Sequence, residues 1–257
     1  MPLISVSIKN IELGINSLKE NPKVPKNYIT DETLEEFEKK ALKLGVNKVG
    51  FTKLSAHHIF KNHSVLYDNL IVIIKEMDKE RVDLAPSFET FKMIHQTYAS
   101  LGVISNKLSK YLRDKGFAAQ AGSALNGMSV YPILAQNAGL GCIGKNGLLI
   151  TPKFGPRQRI AVIYTSIKNQ PFNTGNKHTW ISEYCRQCNA CIKKCPAKAI
   201  YETPIVTNQY NTSHINSEKC FAEFYDNYGC SICIKVCPFS KRNYDKLKNI
   251  FQNRTII

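Results

Sequence analysis

Hydrophobic and polar residues follow each other along the first two thirds of the chain in a pattern that predicts alternating helices and strands. Thr30 or Asp31 is suited to cap a helix through TLEEFEKKALKLG (33–45), whose apolar residues fall on one face. NKVGFTKL (47–54) follows as a predicted short strand. NLIVIIKEM (69–77) is a continuous apolar run of strand length, which is typical of a buried central strand.

The same alternation continues up to about residue 167. Apolar residues at helical spacing over 86–116 predict a long helix, and Gly116 ends it. The remaining predicted elements are a strand, a helix, a glycine loop and two further strands, over 117–121, 129–138, 139–144, 147–151 and 158–167. Together these elements predict an α/β layered domain.

Cysteine placement divides the chain into two parts. Only Cys142 precedes residue 180, whereas the other eight cysteines fall within 185–237. The segment 168–179 between these regions is polar and contains a proline and a glycine, as a linker or long loop does. We therefore predict an α/β domain over 1–180 and a small second domain over 181–257.

The chain shows no sequence feature of export or membrane insertion. The apolar stretch near its start is interrupted by Lys9 and Glu12, and it lacks a basic leading segment and a small-residue cleavage site. No run approaches the 18 or so apolar residues of a membrane-spanning helix. We expect a cytoplasmic protein, in which nine cysteines favour metal ligation over disulfides.

The charge is strongly positive. Lys and Arg number 35 against 20 Asp and Glu, which gives a net charge of +15 and an isoelectric point near 9.4. Such a charge favours polyanions such as RNA, or an acidic redox partner. A solvated lysine-rich surface explains it as well, because the sequence has no arginine-rich tract and no RNA-binding signature.

The eight clustered cysteines form two copies of the run with which bacterial ferredoxins bind [4Fe–4S] clusters. The copies are Cys185-x2-Cys188-x2-Cys191-x3-Cys195-Pro196 and Cys230-x2-Cys233-x3-Cys237-Pro238. The second copy has Asn227 where its first cysteine should stand, and Cys220 is free to supply that ligand. Proline after the last cysteine suits the first position of a helix, so we expect a helix to begin there in each copy.

In this run the fourth cysteine of each copy ligates the other cluster. The ligands of cluster 1 are then predicted to be Cys185, Cys188, Cys191 and Cys237. Those of cluster 2 are predicted to be Cys195, Cys220, Cys230 and Cys233. Zinc is the alternative, but zinc sites use separated Cys-x2-Cys pairs, which explain this run poorly.

A glycine-rich segment, Gly139-x-Gly141-x-x-Gly144, has the spacing of a dinucleotide-binding loop. That function requires a preceding strand, a following helix and an acid about 20 residues further on, whereas here a helix precedes, a strand follows and no acid lies in 158–166. The loop is therefore either a cofactor contact or a tight turn. Cys142 within it is predicted to be a small buried apolar residue, with a reactive thiol as the alternative.

The segment YPILAQNAGLGCIGKNGLLITPKFGPRQRIAVIYTSI (131–167), followed by the double motif with its lone Cys220, resembles the epoxyqueuosine reductases and the related reductive dehalogenases. The shared marks are Ala-Gly-Leu-Gly at 138–141, Gly-Lys-Asn at 144–146 and LITPKFGPR at 149–157.

The resemblance implies a nitroreductase-like α/β domain that binds cobalamin and a ferredoxin-like domain whose two clusters reduce the cobalt. It implies reductive chemistry on tRNA epoxyqueuosine or on a small molecule, and a low-potential electron donor such as flavodoxin or ferredoxin. The residues that it places at the cobalamin are Gly139, Gly141, Gly144, Lys145 and Asn146.

The chain departs from this family at the proton donor. The Asp of the epoxyqueuosine reductases falls at Gly122. Tyr131 is the candidate for the tyrosine that donates the proton in the reductive dehalogenases, and a tyrosine that only packs in its helix is the alternative. Two alternatives remain: a ferredoxin-type electron-transfer protein without substrate chemistry of its own, and a flavin in the α/β domain instead of cobalamin.

Overall fold

The structure is a computed structural model that describes residues 2–208 and 211–254. In this part the chain forms helices and three β-sheets. The helices are α1 (Pro2–Asn16), α2 (Asp31–Lys43), α3 (Lys79–Asp83), α4 (Phe88–Asp114), α5 (Tyr131–Asn137), α6 (Trp180–Cys188), α7 (Ala190–Lys194), α8 (Ser217–Asp226), α9 (Ile232–Lys235), α10 (Pro238–Lys241) and α11 (Tyr244–Arg254). The strands are β1 (Lys48–Lys53), β2 (Asn69–Glu76), β3 (Ala119–Ala121), β4 (Cys142–Ile143), β5 (Leu149–Ile150), β6 (Gln158–Thr165), β7 (Ile200–Asn208) and β8 (Asn211–Ile215). Short 3-10 turns occupy Ser17–Glu20 and Ala56–His58.

The predicted central strand is confirmed. The four-stranded sheet has the order β1-β2-β6-β3, so that β2 and β6 lie in its middle. Strand β1 is antiparallel to β2, with Lys48 opposite Ile74 and Lys53 opposite Asn69. The first six residues of β2 are buried, which accounts for its continuous apolar sequence.

Helix α2 begins where the sequence predicts. The Thr30 hydroxyl accepts a hydrogen bond from the Thr33 backbone N–H at 3.2 Å, which satisfies one of the free donors of the first turn. Phe37 and Ala41, four residues apart, are fully buried on one face. Helix α4 likewise confirms the long helix over 86–116.

Helix α1 was not predicted, because its large apolar side chains are on the exposed face and small residues are on the buried face. Its inner face carries small residues: Ser7 is buried, and a Cβ on Gly14 would lie 3.2 Å from the Ala121 carbonyl oxygen. Its outer face carries isoleucines, with Ile8 48% exposed and Ile15 61% exposed. A search for apolar residues at helical spacing assumes that the apolar face is buried, and it therefore cannot detect such a helix.

The chain forms two compact units, and each unit has its own buried core. The first comprises Met1–Lys75, His95–Ala138 and Arg159–Gly175; the second comprises Glu76–Ile94, Gly139–Gln158 and Asn176–Ile257. The eight clustered cysteines all fall in the second unit. The domain boundary near residue 180 stays a prediction.

The expectation of a helix after each Cys-Pro pair is half right. Pro238 is the first residue of α10, with Cys237 as the residue that precedes the helix. After Cys195, by contrast, the chain makes a turn: Lys198 has φ of +49° and the Ala199 N–H lies 3.3 Å from the Cys195 sulfur. The turn leads into the β7–β8 hairpin, which the sequence pattern did not predict, so no helix forms there.

Among the helices in the described part of the chain, none combines the length and the apolar character needed to cross a membrane.

Candidate metal centre

Four cysteines from both motifs line one pocket of the second unit: Cys185, Cys188, Cys191 and Cys237. Helix α6 carries the first two, α7 carries the third, and the fourth precedes α10. Between α6 and α7, Asn189 takes a left-handed conformation with φ of +52°, which breaks the helix and turns the chain back on itself. This grouping is the one predicted for cluster 1.

The other four cysteines lie near one another as well. Burial raises the pKa of the Cys220 thiol, and the neighbouring Cys195 and Cys230 raise it further. Burial raises the pKa of Cys233 to about 12, with contributions from Cys220, Cys191, Cys230 and Cys195. Cys191 belongs to the first group, so the two groups adjoin each other.

These donors fit clusters of several iron atoms. Burial raises the pKa of such thiols, and they therefore stay protonated at neutral pH unless a metal ion stabilises the thiolate. Within residues 2–208 and 211–254, no three His, Cys, Asp or Glu side chains converge on a single ion position. Four cysteines around one pocket suit a cubane, because each of its thiolates binds a different iron atom.

Aromatic side chains pack beside the first group. Tyr184 and Phe239 line the cysteine pocket, and their ring centroids are 5.0 Å apart. The Tyr244 hydroxyl accepts a hydrogen bond from the Trp180 indole N–H at 2.8 Å and lies 2.7 Å from the Nδ1 atom of His178. The Trp180 ring packs against that of Phe239, with centroids 5.5 Å apart, so this aromatic layer is continuous with the lining of the pocket.

The glycine-rich segment is a hairpin of the second unit. It contains β4, which pairs with β5, whereas the sequence predicted only a loop. Side chains on Gly141 and Gly144 would clash with Ile150 of β5, so contacts within the chain account for both glycines without a cofactor. The residues that would hold a cobalamin therefore stay a prediction.

Lys145 and Asn146 lie at the tip of this hairpin, and both line the cysteine pocket. The resemblance had suggested a cobalamin contact for them. Nothing in the local sequence indicates the position that they take, because the first cysteine of the pocket follows about forty residues later.

The shared segment LITPKFGPR also lies against the cysteines. Gly155 has φ of +57°, and a Cβ there would lie 2.9 Å from the backbone nitrogen of Ser240 and closer still to Phe239. Both residues follow Cys237 within three positions. This glycine thus permits the close approach that positions α10.

Cys142 belongs to neither group of four. It is 6% exposed and packs with Ile181 and Cys237 in the core of the second unit. Burial raises the pKa of its thiol, which opposes formation of a nucleophilic thiolate.

Tyr131 and Gly122 lie against each other in the first unit. The Tyr131 hydroxyl occupies the space that a side chain at position 122 would need, so no carboxylate fits there in this conformation. Burial raises the pKa of Tyr131 well above its usual value, and the adjacent Tyr164 raises it further. The hydroxyl is buried without a hydrogen bond of good geometry in the described part of the chain.

A second tyrosine of the first unit lies beside a cation. The Arg159 guanidinium stacks over the Tyr98 ring, 5.0 Å from its centroid, and the Arg159 Nε is a buried donor without a partner among the described residues. His95 packs edge-on against the same ring, at 6.3 Å. Burial, and next the Arg159 charge, lower the pKa of His95. Sequence reasoning missed this cluster, because helix α4 and strand β6 bring together residues about sixty positions apart.

Comparison with known proteins agrees with this geometry. A family model described as a 4Fe-4S double cluster binding domain matches residues 184–240, which contain all eight clustered cysteines. The chain is 35% identical over 186 residues to the tetrachloroethene reductive dehalogenase of Desulfitobacterium hafniense, which covers 67% of this chain and 33% of the relative. It is 33% identical over 128 residues to the epoxyqueuosine reductase of Atelocyanobacterium thalassa, covering 46% and 39% of the two chains.

The fold has solved counterparts. A reductive dehalogenase whose structure suggests a mechanism for B12-dependent dehalogenation superposes with a TM-score of 0.73 at 18% identity. The match covers 94% of this chain and 38% of that one. The chain spans about a third of the length of the dehalogenases that it matches. Over its matched part, this chain belongs to the superfamily of the reductive dehalogenases and the epoxyqueuosine reductases.

Proposed function

We propose that this protein is an iron–sulfur reductase that passes electrons through two [4Fe–4S] clusters to a bound cobalamin for reductive chemistry on a small electrophile. The observation that carries the proposal is the gathering of eight cysteines into two adjoining groups of four. The ligand sets are those predicted from the motifs. The similarity to a tetrachloroethene reductive dehalogenase supports an organohalide as the class of substrate.

The chain itself supplies the ligands and the path. Each group offers four thiolates to a cubane, which accepts and releases one electron at a time. Because Cys191 and Cys233 lie near each other, the two clusters would be close neighbours. A low-potential carrier, such as a flavodoxin or a ferredoxin, would supply the electrons.

The cobalamin is inferred from the relatives. When bound, its reduced cobalt would supply the low-potential chemistry that side chains lack. A nitroreductase-like arrangement of the first unit belongs to the same inference. The buried Nε of Arg159 is a polar atom without a partner in the described residues, and a bound cofactor or substrate would be expected to satisfy it.

Reductive replacement of a halide consumes a proton, and two tyrosines of the first unit are candidates to donate it. Tyr98 has the physical advantage of a neighbouring cation, because the Arg159 guanidinium lies 5.0 Å from its ring centroid and catalytic sites place positive groups where negative charge develops. Tyr131 is the candidate from the sequence, but its burial disfavours the phenolate. We therefore propose Tyr98 as the donor and keep Tyr131 as the alternative.

A tRNA substrate is the second candidate. The net charge of +15 favours binding of a polyanion, and the resemblance to the epoxyqueuosine reductases indicates epoxyqueuosine in tRNA as that substrate. An electron-transfer protein without its own chemistry has no support from the comparisons.

The test is a titration of the anaerobically reconstituted protein with cob(II)alamin, followed by EPR. A stoichiometric change in the cobalt spectrum, with about eight irons per chain as two cubanes, is expected. Turnover of tetrachloroethene with a reduced viologen and of epoxyqueuosine-containing tRNA would then separate the two substrates. An unchanged cobalt spectrum with both clusters present would refute the cobalamin reductase, and parallel titration with FMN would show whether a flavin takes its place.

A further inference from the structure

The turn at the tip of the β4–β5 hairpin has a defined geometry. The Gly144 N–H donates to the Leu148 carbonyl at 2.9 Å, and the Gly147 N–H donates to the Gly144 carbonyl at 2.9 Å. Gly147 has φ of +74°, which favours glycine. The Leu148 N–H also donates to the Asn146 side chain, at 3.3 Å. The two residues between the glycines are therefore held in a fixed position.

Lys145 is directed at the cysteines by two anchors. Its ammonium donates a hydrogen bond of 2.6 Å to the Asn189 side-chain oxygen, between α6 and α7. The ammonium also donates to the Arg186 backbone carbonyl of α6, at 3.5 Å. On the other side of the turn, His214 packs against Gly147, where an added Cβ would lie 3.2 Å from the His214 Cβ. Of the side chains that line the Cys185–Cys237 pocket in the described structure, that of Lys145 is the one with a charge.

The ammonium is held among the ligands of the first group. Its two acceptors, Arg186 and Asn189, directly follow Cys185 and Cys188 in the chain, and the rest of the described pocket lining is uncharged. In such surroundings a positive charge interacts more strongly with a neighbouring negative charge than it would in water.

We propose that Lys145 sets the reduction potential of cluster 1, because its positive charge stabilises the reduced cluster. One-electron reduction by a low-potential donor adds a negative charge to the cluster and leaves the donor oxidised by one electron. Net charge, hydrogen bonds to sulfur and solvent exposure determine the potentials of such clusters. The buried aromatic surroundings lower the potential, and the half-buried ammonium beside the cluster raises it.

This role differs from the cobalamin contact that the resemblance implies, and it rests on the proposed double-cluster function. Iron content and the EPR signals of the unaltered protein test the clusters. The potential of the Lys145 variants tests the proposal by itself, without cobalamin or substrate.

The experiment is a potentiometric titration of the reconstituted full chain, monitored by EPR, for Lys145→Met, Lys145→Arg and the control Lys193→Met. Lys193 is exposed on α7 and does not line the pocket. Lys145→Met is expected to make one of the two midpoint potentials more negative by about 59 mV. For one electron, this shift corresponds to a change of about tenfold in the equilibrium constant for electron exchange. The other potential serves as the internal reference.

Lys145→Arg is expected to restore most of the shift, because it keeps the charge, and Lys193→Met is expected to move neither potential. Unchanged potentials in Lys145→Met with a full complement of iron would overturn the proposal, as would an equal shift in the Lys193 control. If Lys145→Met fails to hold iron, the second variant is Asn189→Gly, which tolerates the left-handed conformation and removes the shorter of the two hydrogen bonds of the ammonium. A smaller shift of the same potential would then support the proposal, and no shift would overturn it.

Discussion

Replacing Gly155 by alanine should destabilise the second unit and loosen the position of Cys237. Gly155 has φ of +57°, a conformation that costs an L-residue with a side chain roughly 1–2 kcal/mol. The new methyl group would also collide with the Phe239 and Ser240 backbone, which cannot rotate away as a side chain would. Overpacking of this kind costs roughly 1–3 kcal/mol, so the two effects together give about 2–5 kcal/mol.

The matched control is Gly175→Ala. A Cβ on Gly175 would meet nothing within 4 Å, and its φ lies outside the left-handed range. Both variants would be reconstituted with iron and sulfide, and their unfolding in urea would be followed by the visible absorbance of the clusters. With a slope of about 2–3 kcal/mol per molar urea, the Gly155→Ala midpoint should fall by roughly 1–2 M, whereas that of Gly175→Ala should stay near the unaltered protein.

The same variant tests the connection to the cluster. Since Phe239 and Ser240 follow Cys237 within three positions, displacement of α10 should move that ligand and increase the rate at which a chelator removes iron. Equal urea midpoints and equal rates of iron loss for the two glycine variants would refute the reasoning.

Three further predictions concern the ligands, the proton donor and the first unit. Cys188→Ser should remove one cluster and reduce iron from about eight to about four atoms per chain, whereas Cys142→Ala should leave iron unchanged; full iron in the first variant would contradict the ligand assignment. Tyr98→Phe should slow turnover by about 10²-fold or more without changing iron content. Tyr131→Phe should leave the melting temperature equal or higher, because it removes a buried hydroxyl without a good partner. Loss of turnover in Tyr131→Phe, with turnover kept in Tyr98→Phe, would return the donor role to Tyr131. Thr30→Ala should lower the free energy of unfolding by about 1 kcal/mol through loss of the α2 cap, and Thr30→Ser should retain most of it, so equal losses in both variants would argue against the cap.

The parts of the fold that the sequence predicted are those determined by local patterns. The strand β2 has a continuous apolar run and α2 has a capping residue before an apolar face, so each could be identified within about fifteen residues. Helix α1 escaped detection because its buried face consists of small residues such as Ser7 and Gly14. Its packing partners lie in distant segments, and the local sequence contains no record of them.

The candidate site shows the same division. The two cysteine groups follow from motif spacing, because a tight loop brings thiolates two or three positions apart onto one cluster. The approach of Lys145 to those cysteines depends on the β4–β5 hairpin reaching a pocket formed much later in the chain. The pairing of Arg159 with Tyr98 likewise depends on the packing of a strand against a helix, which no spacing rule encodes.

The pocket of Cys185, Cys188 and Cys191 is completed from both directions along the chain, by Lys145 before it and by Cys237 after it. A ribosome releases these segments in order, so the first three cysteines leave it well before the fourth. Synthesis must therefore proceed past Cys237 before this pocket can close around a cluster. Delivery of iron and sulfide during translation would have to wait for Cys237, and until then the nascent chain would expose unprotected thiols.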